Sequence, residues 1–146
     1  MFLGIVRPLE AADKPAWLPL WAGYLEFYQT SLPSEVTETA FTHLTGSDTE
    51  MFGLVAEQDG HIIGIAHCIV HRSTWAKGNY VYLNDLFVSP DVRKSGAGRA
   101  LIEAIYKRAD EIGAERVYWL THESNVTARK LYDSLAFNDG FLEYRR

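Results

Sequence analysis

Residues 92–101 read VRKSGAGRAL, a basic turn with Gly96 and Gly98 one residue apart, running straight into an apolar-periodic stretch. Glycines let a backbone approach an anion closely, and the amides that open a helix present a positive dipole end. Arg93, Lys94 and Arg99 add charge around the same point, so the chemistry open to this turn is the cradling of a phosphate or diphosphate. A P-loop requires GxxxxGK[ST], a spacing the chain lacks. A dinucleotide fingerprint requires GxGxxG, and Leu101 stands where its third glycine belongs. Two readings stay open: an R-x-x-G-x-G diphosphate turn from Arg93 to Gly98, or a solvated turn whose glycines only satisfy geometry.

Other reactive residue types offer less. His43, His61, His67, His71 and His122 show no metal-ligand spacing with carboxylates or with Cys68, and HCIVH sets only two imidazoles on one side of a strand. No metal site is expected. Cys68 lies in the apolar run IIGIAHCIV, where a buried, inert thiol is expected; as the single cysteine it has no intrachain partner. A formal net charge of -5 argues against broad nucleic-acid binding, which needs a basic face, and favours cationic partners. No apolar run approaches the roughly 20 residues that span a bilayer. Arg7, Pro8 and Glu10 interrupt the stretch where a signal peptide would need an unbroken apolar core. A cytoplasmic protein without a membrane partner is expected.

The elements that must position this turn follow from periodicity. A chain of 146 residues makes one domain, residues 1–146, with a real core. FLGIVRPL reads as an opening strand, and Trp17, Trp21, Tyr24, Leu25, Phe27 and Tyr28 recur at helical spacing. Asp13 is placed to cap that helix, with Pro19 delaying or kinking its first turns. Ser34 opens a shorter helix reaching about Leu44. MFGLVAEQ and HIIGIAHCIVHRS, joined by Asp59-Gly60, predict a hairpin, and NYVYLNDLFV a third strand of the meander. On that third strand Leu83, Asp85 and Phe87 should share one face, opposite Tyr82, Asn84 and Leu86. Ala97, Leu101, Ala104, Ile105, Ala109 and Ile112 make an apolar helix face, and Gly113 ends it. RVYWLT predicts a strand, NVTARKLYDSLA a helix and FNDGFLEYRR a terminal strand. The order β-α-α-β-β-β-α-β-α-β gives an α/β (α+β) fold, a mixed, mainly antiparallel sheet flanked by helices.

Downstream of the turn stands N-x-x-A-x-x-L-Y-x-x-x-A-F, from Asn125 through Tyr132 to Phe137. With YLNDLFV (82–88) and RKSGAG (93–98) before it, in this order and spacing, the chain resembles the GNAT superfamily of acetyl-CoA-dependent N-acetyltransferases. Within it, YLNDLFV and VYWLTHESN look most like the histone/polyamine branch. The resemblance implies a GNAT-type fold and acetyl-CoA as co-substrate. The pantetheine arm would lie along Leu86, Phe87 and Val88, whose backbone would place an amide near the thioester oxygen. The diphosphate would sit on Arg93, Lys94, Ser95, Gly96, Ala97, Gly98 and Arg99. Asn125 matches a cofactor-contacting position and is equally suited to cap a helix. Tyr132 matches the general acid, a phenol donating to the departing thiolate after direct attack of an amine and collapse of a tetrahedral intermediate.

An amine arrives protonated, and Asp85 is the candidate either to remove that proton or to hold the cation; a purely structural carboxylate is the other reading. Glu26, Glu35 and Glu123 are expected in or near the same groove. The implied acceptor is a primary amine: a polyamine, a small basic metabolite or a lysine side chain. A non-catalytic acyl-CoA-binding domain of the same fold and a phosphate-binding structural module are the rival readings. Only nine residues follow Phe137, where many members of the superfamily finish with two strands. The exposed sheet edge this would leave predicts a homodimer through the C-terminal segment.

Overall fold

The computed structural model describes residues 1–92 and 94–146. Its elements are β1 (Ile5–Pro8), α1 (Lys14–Phe27), α2 (Ser34–Thr45), β2 (Met51–Gln58), β3 (His61–His71), β4 (Tyr80–Val88), α3 (Ala97–Glu111), β5 (Arg116–Tyr118) and α4 (Val126–Asp133). They build a five-stranded sheet in the order β1-β2-β3-β4-β5. Neighbours are antiparallel except β4 and β5, which run parallel. The crossover between those two strands is α3, as a parallel connection requires.

Local sequence explains most boundaries. Asp59 and Gly60 both take positive φ, 53° and 76°, the conformation of a type I′ turn that suits the twist of a hairpin. α3 stops where Gly113 enters the left-handed region at φ 72°, and the Ala114 amide returns to the Ala109 carbonyl. α1 runs unbroken through Pro19. Asp13 does not cap it. Its carboxylate instead pairs with Arg7 at 2.9 Å and accepts the Glu10 amide at 2.8 Å, while Arg7 also reaches Glu57 at 3.0 Å. The Arg7 hydrogen bond holds the Asp13 carboxyl below the ordinary range. The arginine thereby ties β1 to β2 and to the turn before α1.

The core lies in two layers, one on each face of the sheet. On one face α1 and α2 bury Trp17, Leu20, Trp21, Phe41 and Leu44 against Val55, Ile65 and Phe87. On the other α3 buries Leu101, Ile102, Ile105 and Ala109 against Leu54, Ala66, Cys68, Val81 and Leu83, with Leu131 and Tyr132 of α4 packed beside them. Cys68 is buried here, and desolvation pushes its thiol up, so it is held as the unreactive neutral form.

Three expectations need correction. First, β4 does not alternate uniformly. His67 pairs with Asp85 but Cys68 pairs with Leu83, so Asn84 is an extra residue in β4, a β-bulge. Its effect on phase is visible in the core: Val81 and Leu83 face α3, whereas Phe87 faces α1 and Leu86 and Val88 return to the α3 side. Asp85 therefore does not share a face with Leu83; the bulge turns it toward α1, on the side of Tyr80 and Tyr82. Second, β5 covers only Arg116–Tyr118, not all of RVYWLT. Third, residues 137–146 form no strand. Phe137 is 86% and Tyr144 94% exposed, with Phe141 and Leu142 also open to solvent.

Candidate active site

The early end of β5 opens the sheet. β4 and β5 pair only at Tyr80–Arg116, Val81–Val117 and Tyr82–Tyr118. From Leu83 onward the β5-facing edge of β4 has no strand partner among the described residues. Leu86, Phe87 and Val88 lie on this stretch. At its far end stands the basic turn. Gly96 takes φ 89°, which a side chain would strain, and serves as the N-cap of α3. The Ala97 amide reaches Ser95 Oγ at 3.4 Å and Ala100 closes the first helical bond to Gly96. Helix geometry leaves the Gly98 and Arg99 amides without an intrahelical acceptor.

A side chain at Gly98 would fill the gap toward Leu131 of α4 and Val88 of β4, 3.4 and 3.9 Å from a Cβ placed there. The bare backbone at Gly98 thus sits where β4, α3 and α4 converge. Arg99 spans the junction by donating to Ser134 Oγ at 2.7 Å, with Glu103 at 3.9 Å. Lys94 is exposed. Arg93 lies outside the described residues. An open strand edge, free helix amides and basic side chains at its end are the donor set that a pantetheine diphosphate requires, so the residues fit acetyl-CoA.

Asn125 occupies the N-cap of α4, but its side chain makes no capping bond; Nδ2 points instead to Thr121 Oγ1 at 3.4 Å. Tyr132 lies in the same helix, its ring edge-on to Trp119 at 5.4 Å. The Tyr132 hydroxyl has no hydrogen-bond partner among the described residues and is not sealed from solvent. Burial, with a contribution from Tyr28, pushes the phenol up to about 12.

Asp85 sits on the α1 face, 8% exposed. Its Oδ2 lies 2.9 Å from His67 Nδ1 and its Oδ1 accepts from Asn84 Nδ2 at 3.1 Å, with the Tyr24 hydroxyl close to the same carboxylate. Burial would raise this carboxyl. The His67 hydrogen bond leads the opposing effects, Tyr24 and Asn84 add to it, and the group stands below its ordinary value. Tyr28, at the C-cap of α1, feels the Asp85 charge and itself acts on Tyr132. Tyr82 completes the wall and is likewise held up, first by burial.

The aromatics of α1 form a continuous ladder along the helix: Trp17 on Trp21 at 5.6 Å, Trp21 on Tyr24 at 5.4 Å, Tyr24 on Tyr28 at 5.0 Å. The sequence singles out the turn, Tyr132 and the aromatic helix from Trp17 to Tyr28 as one wall of a groove, but not His67 or Tyr82. The helical repeat of aromatics at 17, 21, 24 and 28 was the signal for that wall. Glu26, Glu35 and Glu123 are all exposed. Among the described residues no group of His, Cys, Asp and Glu is gathered to hold a metal. Two surface depressions, one by His71–Asn79 and one between α2 and β2, do not include Asp85 or Tyr132.

Comparison with known proteins adds to this geometry. The acetyltransferase (GNAT) family profile matches residues 17–137. The D-amino-acid N-acetyltransferase HPA3 of Saccharomyces cerevisiae is 38% identical over 144 residues, covering 97% of this chain and 89% of that protein. The ribosomal protein bS18 alanine N-acetyltransferase of Escherichia coli K12 is 35% identical over 137 residues, covering 94% and 82%. In three dimensions the aminoglycoside acetyltransferase AAC(6')-Iy, solved with a CoA bisubstrate analogue, superposes with a TM-score of 0.83. It covers 98% of this chain and 97% of its own at 20% identity, a likeness of fold. These relatives do not single out the histone/polyamine branch that YLNDLFV and VYWLTHESN suggested.

Proposed function

The chain belongs to the GNAT family of acetyltransferases, and from that premise we propose that it acetylates the primary amine of a small cationic acceptor in the cleft between Asp85 and Tyr132. It is an acetyl-CoA-dependent N-acetyltransferase; acetyl-CoA supplies the acetyl group as an activated thioester. The observation that carries the acceptor reading is the buried, ionised Asp85 carboxylate behind a wall of tyrosines. Such a wall attracts a cation twice over, by charge and by the ring faces. A carboxylate held below its ordinary value is a weak base, so Asp85 acts as the anchor of the positive charge. The reacting amine gives one proton to water before it attacks as the neutral form, and the proton that nitrogen sheds as the tetrahedral intermediate collapses replaces the one Tyr132 hands to the sulfur.

The remaining roles follow the open edge. The backbone of Leu86, Phe87 and Val88 binds the pantetheine arm and aims an amide at the thioester oxygen. The turn from Lys94 to Arg99 holds the diphosphate, and Arg93 belongs to the same proposal. Asn125, its side chain free of capping, faces the cofactor. Tyr132 keeps its proton at neutral pH and delivers it to the leaving sulfur. The acceptor class comprises polyamines, amino acids and other small basic metabolites, and lysine side chains; similarity to a D-amino-acid acetyltransferase supports testing amino acids first. Thiol release over an amine panel checks this. Basic amines and amino acids are expected to turn over, whereas uniform silence with acetyl-CoA bound would identify a non-catalytic acyl-CoA-binding domain.

We also propose a cytoplasmic homodimer. The free edge of β5 and the exposed Phe137, Phe141, Leu142 and Tyr144 support pairing of C-terminal segments between two copies. Light scattering at micromolar concentration should give twice the chain mass, and removal of residues 138–146 should return it to one. A monomeric full chain would end this part of the reading.

A further inference from the structure

His67 is 3% exposed, and both of its ring nitrogens are engaged. Trp17 Nε1 lies 2.9 Å from His67 Nε2, and His67 Nδ1 lies 2.9 Å from Asp85 Oδ2. An indole N–H can only donate. Nε2 must therefore accept, the single ring proton sits on Nδ1, and that proton points at the carboxylate. The chain has one polarity: indole to imidazole to carboxylate. With its only lone pair taken by Trp17, His67 has nothing with which to remove a proton from an acceptor.

Trp17 is well placed to impose this polarity. It is fully buried, stacked on Trp21 and packed against Phe41 at 4.8 Å, so its N–H direction is set by the core. Asp85, by contrast, sits at the bulge, where the regular pleat no longer dictates side-chain direction. What aims its carboxylate is the cross-strand His67, with Asn84 on the second oxygen.

We propose that His67 is a positioning residue for acceptor recognition: held by Trp17 as the Nδ1–H tautomer, it fixes the Asp85 carboxylate, ionised and oriented, toward the tyrosine-lined cleft. This rests on the reading of Asp85 as the acceptor's anchor. The titratable groups facing the carboxylate are Tyr24 and Tyr28 from α1 and Tyr82 from β4, while Cys68 of β3 lies in the α3 layer and feels the charge from across the sheet. Each is held in its neutral form. Glu143 and Arg145 of the C-terminal segment act on Tyr82 at the rim.

Two measurements test this. Nitrogen-15 NMR of the full chain should find His67 in the Nδ1–H form; an Nε2–H tautomer overturns the proposal, whatever Asp85 does. Kinetically, His67→Leu should raise the KM for the amine about tenfold or more while the KM for acetyl-CoA stays put. His67→Asn, whose amide N–H stands near the Nδ1 position, should recover most of that loss. Trp17→Phe keeps the packing but frees Nε2, so the Nε2–H tautomer should become populated and the KM for the amine should rise severalfold while the KM for acetyl-CoA stays put. Equal losses of both KM values in His67→Leu and His67→Asn, or an unchanged tautomer and amine KM in Trp17→Phe, would mark His67 as structural only. If His67→Leu does not fold, the NMR result and Trp17→Phe still decide. Failure of the anchor reading looks different: Asp85→Asn would leave the amine KM unchanged while the tautomer stands.

Discussion

Tyr132→Phe is expected to lower kcat by about 10²-fold or more, the scale of a positioned proton donor, while the KM for acetyl-CoA moves by no more than about twofold. The reasons are local. The Tyr132 hydroxyl makes no hydrogen bond among the described residues, so its removal strands no partner and costs little stability. The ring stays edge-on to Trp119 and keeps its place in the α4 layer. What disappears is one proton. Because the phenol is pushed up to about 12, it holds that proton as pH climbs through the range where an ordinary tyrosine, near about 10, would lose it. The sign is therefore definite: any fall of kcat due to loss of this donor lies near pH 12, and a basic limb near pH 10 would belong to another group. Thermal melts of the variant and titration of CoA separate this loss of chemistry from loss of fold or binding.

Asp85→Asn should raise the KM for the amine roughly 30-fold, since an interaction with a charged group is worth about 2 kcal/mol. Asparagine is close in shape, and its carbonyl still accepts the His67 Nδ1–H that the carboxylate accepts at 2.9 Å. Its amide group instead meets the Asn84 amide, donor to donor, where the carboxylate had accepted at 3.1 Å. The buried charge is gone and the frame is largely kept, so binding of the cation falls more than stability. A neutral aromatic amine, which carries no charge to anchor, should lose far less than a basic amine. If both acceptors lose equally, the role of Asp85 is not charge recognition.

How much of this was legible beforehand depends on which residues carried the signal. Turn chemistry is local, so Asp59-Gly60, Gly113 and the glycines of RKSGAG announced the hairpin, the end of α3 and the turn at its start. The two-layer arrangement followed from the order of the elements. The bulge at Asn84 was not legible, because a period of two read from one strand carries no information about the partner's register. That single extra residue moved Asp85 from the α3 face to the α1 face, and with it the identity of its neighbours. β5 stops at Tyr118 although VYWLT keeps strand-forming residues, because pairing with β4 ends where the two strands diverge. FNDGFLEYRR has strand-like composition but pairs with no strand among the described residues. His67 looked like a weak metal ligand in HCIVH; its role depends on Trp17, 50 residues away, and only tertiary packing joins them.

The central claim is that acetyl transfer to an amine happens between Asp85 and Tyr132. Its most direct test is a single-turnover experiment: the enzyme is preloaded with acetyl-CoA, mixed with a basic amine, and the acetylated amine is followed by mass spectrometry. The unaltered chain should convert one acetyl group per site, and Tyr132→Phe should reach the same end point about 10²-fold more slowly. Acetyl-CoA that binds but yields no acetylated amine, or a Tyr132→Phe chain that reacts at the unaltered rate, would contradict it.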